Sequence, residues 1–336
     1  MTVSNAFSHP DQLSSDLRAR ILAKADELGY IGPDPAARTL ARGTSGAVGV
    51  LLTDLLYEAF TDEVATAFLA AVVEELAPTG LALTLLTSSV RDDVVPARDV
   101  ALDGAVIYSC RPESDARDWL IRRRLPLVFV DQDPVEQTST INVDDRGGAR
   151  AAAEHLVALG HRRIAIVSRT VDGSAGLVDD PVAAAQGHPQ RERLLGWLDA
   201  LRGVGVAPVV ARVPHNTDEA ARAAARLLLD TPEPPTAVLC FSDVLALNLM
   251  DVARELGLAV PDDLSVVGFD DNPLAVRVTP RLTTVRQDVA AKGRAAAHAL
   301  TTAIEDRRTG TKTAPVHVNL PTELVVREST APPRRS

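Results

Sequence analysis

Several apolar runs in this chain end on polar residues able to hold a ligand. Asp131 follows Leu125–Val130, Ser242 and Asp243 follow Ala237–Phe241, and Asp270 follows Val266–Phe269. Arg193 stands on a helical stretch just before Gly196 and Trp197. Ligands of open α/β sheets collect at the carboxyl ends of strands, so these positions are candidates for one cleft. Carboxylates and a guanidinium grip neighbouring hydroxyls through paired hydrogen bonds, which suits a sugar or a nucleoside. Asp243 reads equally as the cap of a helix over Val244–Leu256, and Asp271 reads as structural. Phe60, Tyr108, Trp197 and Phe241 are available to stack on a ligand ring, but with aromatics at 3% each reads first as core.

Other chemistries lack their residues. The chain has no Walker A loop, no dinucleotide glycine fingerprint after a first strand, and no Gly-x-Ser-x-Gly elbow. His155 and His161 flank a helix end at a spacing unlike a zinc pair and read as structural. The expectation is a non-enzymatic protein with no cofactor.

These residues need a scaffold, and the pattern supplies one. From Ala47 onward, apolar strand runs alternate with helical stretches. Strands are expected at Ala47–Leu52, Leu81–Leu86, Gly104–Tyr108, Leu125–Val130, Arg163–Val167, Val206–Val213, Ala237–Cys240 and Leu264–Phe269. Helices are expected at Thr61–Ala77, Asp144–Leu159, Gln190–Arg202, Thr217–Leu229, Ser242–Leu256 and Val289–Glu305. Continuous apolar strands between helices mean parallel sheets covered on both faces. At 336 residues the chain is too long for one ordinary core, so two doubly wound subdomains are expected. The segment 168–189 breaks the rhythm and reads as a mobile surface insertion, with a lid over a cleft as the sharper alternative.

Composition narrows the class. No apolar run reaches the length of a membrane span, and no secretory signal is seen at the N-terminus, so a cytoplasmic protein is expected. Cys110 and Cys240 each sit at the end of an apolar run and read as buried reduced thiols. The net charge of −10 argues against non-specific coating of nucleic acid. Residues 1–45 are neutral, five basic residues balancing five acidic ones.

The first residues nonetheless read as a small helical head. Thr2–Phe7 is a short helix candidate. Ser14 can cap a second helix with Leu17, Ile21, Leu22, Ala25 and Leu28 along one face, stopped by Gly29. A proline-broken connector follows, Tyr30 to Gly43, ending in Pro35-Ala36-Ala37-Arg38-Thr39-Leu40-Ala41-Arg42. This stretch resembles the head and hinge of the LacI/GalR family of bacterial repressors. The resemblance continues through Ala152-Ala153-Glu154-His155-Leu156-Val157-Ala158-Leu159-Gly160-His161-Arg162-Arg163-Ile164-Ala165. It continues again through Pro261–Asp271 and Pro280–Asp288. Several long motifs in the right order make the likeness specific.

The resemblance implies an α/β fold of two doubly wound Rossmann-like subdomains, a periplasmic-binding-protein type I core, preceded by a partial all-α helix-turn-helix head and hinge. The expected divisions are a head at 1–30 and a hinge at 31–45. The N-subdomain is expected at 46–143 with about 288–312, the C-subdomain at 144–287 with about 313–328, and a disordered tail at 329–336. Met1 falls inside the stretch where a recognition helix should begin. A start assigned too late is favoured over a headless paralogue, because cap, helix and hinge are retained together.

By the same resemblance, Thr2, Ser4 and Asn5 lie at the DNA, Ala37 and Arg38 face the minor groove, and Leu40 is the leucine that wedges between base pairs. Asp131, Arg193, Ser242, Asp243 and Asp270, with Trp197 and Phe241 as apolar wall, are the effector-binding positions. Of these, Arg193 and Asp270 carry most of the expectation. The expected partners are pseudo-palindromic operator DNA, a carbohydrate or nucleoside effector, and a second copy of the chain in a homodimer. The helices Thr61–Ala77 and Val289–Glu305 suit either a dimer interface or packing within one subunit. The reading is an effector-responsive DNA-binding transcriptional regulator, a repressor. The alternatives are a ligand sensor without DNA binding and a transporter's solute-binding protein.

Overall fold

The computed structural model describes residues 2–8, 10–32, 34, 43–52, 58–87, 94–109, 114–170, 175–214 and 216–334. The connector residues Ala37, Arg38 and Leu40, and Cys110, lie outside the described residues.

Among the described residues the head holds two α-helices, α1 (Thr2–Ser8) and α2 (Ser15–Glu27). Ser14 caps α2 by accepting from the Leu17 amide. Arg18 Nε donates to the Ala6 carbonyl at 3.1 Å, and Phe7 meets Tyr30 edge-on at 5.6 Å. The stripe expected on α2 is only partly covered: Ala25 is buried, but Leu28 is 72% exposed. A pair of helices offers too little opposing surface to bury the whole face.

The chain then runs β1 (Ala47–Leu52), α3 (Glu63–Leu76), β2 (Ala82–Thr87), β3 (Gly104–Tyr108), α4 (Asp115–Arg122), β4 (Leu127–Val130) and β5 (Ser139–Val143). Next come α5 (Asp145–Leu159), β6 (Ile164–Arg169), β7 (Gly176–Leu177), α6 (His188–Arg202), β8 (Val209–Val213) and α7 (Asp218–Leu229). The last elements are β9 (Ala237–Cys240), α8 (Asp243–Glu255), β10 (Ser265–Asp270), β11 (Thr283–Gln287), α9 (Val289–Thr309), β12 (His317–Leu320) and β13 (Thr322–Val325).

Two sheets result, in the orders β12-β5-β4-β3-β1-β2 and β13-β11-β10-β9-β6-β8-β7. The first is parallel throughout, and the second is parallel except at its edges, β13 and β7. Strands such as β1, apolar nearly throughout and buried on both faces, are what parallel pairing requires. The chain passes between the lobes after β5, after β11 and after β12. These crossings lie side by side: the Asp144 amide donates to the Leu320 carbonyl at 2.8 Å, and Gln287 pairs with Thr322.

Several expectations need correction. The stretch 313–328 does not belong wholly to the C-subdomain, because β12 joins the first sheet beside β5 and only β13 joins the second. The strands β5, β11, β12 and β13 carry no continuous apolar run, since they alternate or hold polar residues that bond inside the sheet. The insertion 168–189 is not simply a surface loop: β7 pairs with β8 and Ala185 is buried. The tail residues 329–334 are anchored rather than disordered. Ser329 is fully buried, and His161 Nε2 lies 2.9 Å from the Ala331 carbonyl oxygen and 3.1 Å from Ser265 Oγ.

The small-residue helices α3 and α9 close on each other within the subunit. A Cβ on Gly293 would lie 2.7 Å from Ala71 Cβ and 2.8 Å from the Phe68 carbonyl oxygen. Gly196 of α6 meets α5 in the same way: a Cβ there would collide with the Arg146 carbonyl oxygen.

Burial holds the His155 and His161 imidazoles below their ordinary value of 6.5. The folded chain therefore binds these protons less readily than the unfolded chain. The histidine part of the stability measured by urea unfolding should be flat just above pH 6.5 and fall as the pH drops below it, whereas the raised Asp270 carboxyl acts in the opposite sense through pH 7. His161→Asn should lose part of that dependence.

Candidate effector cleft

The carboxyl ends of strands from both lobes face each other across a cavity of about 100 Å3, room for a small polar molecule. The N-lobe wall carries Asp62, Tyr108, Ser109, Asp131 and Lys292. The C-lobe wall carries Arg169, Gln190, Arg193, Asn216, Phe241, Ser242, Asp270 and Gln287. Cap residues contribute directly, because each strand-to-helix turn opens on the cleft. Asp62 accepts from the Ala65 amide at the start of α3, and Ser242 from the Leu245 amide at the start of α8.

One buried polar chain runs across the floor. Arg193 Nε donates to Asp145 Oδ1 at 2.7 Å, and its Nη1 to the Phe241 carbonyl at 2.6 Å and to Asp270 Oδ1 at 3.3 Å. Gln287 Nε2 donates to the same Asp270 oxygen at 2.7 Å. Lys292 Nζ donates to Gln287 Oε1 at 3.1 Å and to Asp131 Oδ2 at 2.7 Å. The guanidinium carbon of Arg193 lies 3.5 Å from the Phe269 ring centroid and 4.5 Å from that of Phe241. Such a cation is held by charge pairing and aromatic faces together.

Side chains also join the lobes at the cleft's flanks. Asn216 takes a hydrogen bond from Ser242 Oγ at 2.7 Å and donates to Asp62 Oδ2 at 3.2 Å. Arg191 and His188 of α6 both reach Asp133 Oδ1, at 2.6 and 2.9 Å.

Burial sets the proton affinities. It lifts the Asp270 carboxyl to about 7, against the pull of Arg193 and the hydrogen bond from Gln287. It raises the Asp145 carboxyl above its ordinary value as well, against the pull of Arg193. For Arg193, burial favours the neutral form, but Asp145 and Asp270 outweigh it and the pKa rises. The backbone is strained at the same strand ends. Ser109, Asp131 and Asp270 have φ of 49°, 54° and 114°, a region that side chains avoid. Strain of this kind costs ~1–3 kcal/mol per residue and persists where the surroundings impose it, often at ligand clamps.

Of the expected effector positions, Asp131, Arg193, Ser242, Phe241 and Asp270 do line one cavity. Two do not. Trp197 is 1% exposed and lies in the C-lobe core. Asp243 is fully buried and braces strands: its Oδ1 accepts from Thr284 Oγ1 at 2.5 Å and its Oδ2 from the Asn272 amide at 2.8 Å. Asp271 pairs with Arg286 and Arg327. Phe60 is 65% exposed, while Tyr108 lines the cleft and stacks on Phe68. His155 and His161 serve packing, through Thr330 and through Thr236, Ser265 and Ala331.

Sequence reasoning missed Asp62, Gln190, Asn216, Gln287 and Lys292. Asp62 and Asn216 each sit just before a helix, a place where a cap is the ordinary explanation. Lys292 gave no signal, since a lysine inside an alanine-rich helix reads as solvent-facing. In the head, Thr2 opens α1, Ser4 is exposed, and Asn5 Nδ2 donates to Gln12 Oε1 at 2.9 Å.

This architecture has close relatives. Residues 153–330 match a family described as periplasmic binding protein-like domain. An HTH-type transcriptional regulator of Mycobacterium tuberculosis is 36% identical, over 99% of this chain and 93% of its own. A LacI-family regulator from Corynebacterium glutamicum, solved by crystallography, is 32% identical with a TM-score of 0.74, covering 98% of this chain and 94% of that one. The chain belongs to the LacI family. A CelR–cellobiose complex is a further structural neighbour of this LacI-family chain, 28% identical with a TM-score of 0.72 over 97% of this chain and 94% of that one. The family is one of transcriptional regulators, not enzymes.

Removing Arg193 leaves two buried carboxylates without their partner. Arg193→Met should therefore lose about 3–5 kcal/mol of stability in urea unfolding. Asn216→Ala removes one interlobe contact of a half-buried side chain and should stay within about 1 kcal/mol of wild type.

Proposed function

We propose that the cleft binds a small, neutral polyhydroxy effector, and that occupancy changes the affinity of the head for operator DNA. The observation that carries this reading is a pair of unsatisfied acceptors on residues that line the cavity. Among the described residues, Asp131 Oδ1 and Gln190 Oε1 have no hydrogen-bond partner, and both residues are 6% exposed. A buried acceptor without a donor costs ~1–3 kcal/mol, and a hydroxylated ligand supplies the donors. Asp62, Asp131 and Asp270 stand against Arg169, Arg193 and Lys292 around the cavity, a balance that favours a ligand without net charge.

A carbohydrate fits this lining better than a nucleoside. Tyr108 already stacks on Phe68 at 4.5 Å, and Phe241 lies against the Arg193 guanidinium. Little aromatic surface is left for a base. The CelR relative in complex with cellobiose is a precedent for a carbohydrate in this kind of cleft.

In this reading the protein works as a homodimer on a pseudo-palindromic site in the cytoplasm, where the chromosome is. Thr2, Ser4 and Asn5 of each head meet the major groove, and Ala37, Arg38 and Leu40 of each connector meet the minor groove. Effector and DNA favour different lobe arrangements, so each changes the other's affinity by the same factor. A sensor without DNA binding and a solute-binding protein are not favoured, because the relatives are helix-turn-helix regulators.

Gel-shift titration of promoter fragments with the full chain tests the proposal. One fragment should be retarded, and one carbohydrate should alter the retardation. Leu40→Ala should weaken retardation about tenfold or more while leaving carbohydrate binding unchanged. A chain that prefers no fragment, with or without carbohydrate, would sink the reading. A second expectation concerns pH. With Asp270 near 7, its ionised form gains as the pH rises through neutrality and accepts hydroxyl donors better. Carbohydrate affinity measured by calorimetry should rise between about pH 6 and 8, and Asp270→Asn should flatten that profile.

A further inference from the structure

Lys292 is the least expected member of the cleft. It stands in the first turn of α9, between Ala291 and Gly293, and is 1% exposed. The close approach that Gly293 allows between α9 and α3 lets the lysine reach the cleft floor instead of solvent. A lysine ammonium has three N–H donors. One goes to Asp131 Oδ2 at 2.7 Å and one to Gln287 Oε1 at 3.1 Å. The third has no acceptor among the described residues; its other neighbour is the Tyr108 ring, with the centroid 5.7 Å from Nζ. The same ion pair leaves Asp131 Oδ1 without a donor. One buried pair in the N-lobe wall therefore presents an unmet acceptor beside an unmet donor, both on residues that line the cavity.

We propose that Lys292 and Asp131 together select a vicinal diol. Asp131 Oδ1 accepts from one hydroxyl, while Lys292 Nζ donates to the oxygen beside it. The oxygens of gauche neighbouring hydroxyls lie about a hydrogen-bond length apart, and the 2.7 Å contact through Asp131 Oδ2 holds Lys292 Nζ next to the carboxylate that carries Oδ1. A lone hydroxyl satisfies only one of the two groups and leaves the other buried and unmet. A buried ion pair adds little stability compared with apolar packing, so its value here lies in discrimination. Lys292 acts on the wall opposite Arg193, so the two lobes grip different parts of the ligand. This inference rests on the carbohydrate reading and narrows it to sugars with adjacent free hydroxyls at the N-lobe wall.

Calorimetric titration of the full chain with D-glucose, D-galactose, cellobiose and adenosine, followed by the monodeoxy forms of whichever sugar binds, provides the test. Wild type should bind one sugar and lose about a hundredfold or more with one of its deoxy forms. Lys292→Met should weaken binding of the parent sugar about tenfold or more and shrink the deoxy discrimination to within about threefold. The double variant Lys292→Met with Asp131→Asn removes the unpaired buried charge and serves if the single variant does not fold. It should show the same loss of discrimination. A folded variant that keeps both the parent affinity and the discrimination overturns the inference while leaving the carbohydrate reading intact. Wild type that binds none of the three sugars overturns both; because adenosine carries its own 2′,3′-diol, its binding overturns the carbohydrate reading, and equal affinity for its 2′- and 3′-deoxy forms would overturn the diol grip as well.

Discussion

Arg193 and the carboxylates beside it can leave water only together. The guanidinium is 5% exposed and meets Asp145, which is 1% exposed, and the nearly buried side chain of Asp270. Any one of these charges left alone in the lobe would cost about 3–5 kcal/mol or be neutralised by gain or loss of a proton, a large share of a domain's margin of stability. The remaining arrangement follows from that requirement. Phe241 and Phe269 cover the cation, and Gln287 and Lys292 carry the neutralisation on to Asp131 in the other lobe. The charged floor of the cleft is thus one unit spanning two sheets.

The unit touches the segments that join those sheets. Asp145 follows the first crossing directly, and Gln287 precedes the second. The third crossing is bonded to the other two through Asp144 and Thr322. A ligand that draws on Asp131 or Asp270 therefore acts on groups bonded, through Lys292 and Gln287, to the strand that leads into the second crossing. The flanking contacts from Asn216 to Asp62, and from His188 and Arg191 to Asp133, cross the cleft as well. They supply contacts that a change in lobe angle would make or break, which is the differential interaction that linkage requires.

Packing and strain serve the same geometry. Gly196 and Gly293 let helices come close enough to aim Arg193 and Lys292 inward from opposite lobes. The left-handed backbone at Ser109, Asp131 and Asp270 turns strand ends sharply at the ligand. Far from the cleft, His161 ties the chain's last described segment to β10 through Ser265 and to Thr236, so the outer face of the C-lobe is closed by the tail.

Much of this was legible in the order of residues. Apolar runs separated by capped helices dictated parallel strands, because only a sheet covered on both faces can bury Ala47–Leu52 or Ala237–Cys240 entirely. Polar residues closing those runs pointed to Asp131, Ser242 and Asp270, since a strand that ends in a charge must end at a surface or a cleft. What the order of residues left undecided depended on partners far along the chain. β5 and β11 are polar strands whose groups are satisfied across the sheet. Trp197 and Asp243 sit beside true cleft residues yet face inward, a turn of helix or one position being enough to redirect a side chain. Lys292 lies 161 residues from Asp131, and no local pattern could place an ammonium beside a carboxylate that distant. The sequence determined the elements and the strand ends, because burial periodicity is local. Only the tertiary structure decided which charges meet, because neutralising a buried charge is a matter of what the fold brings next to it.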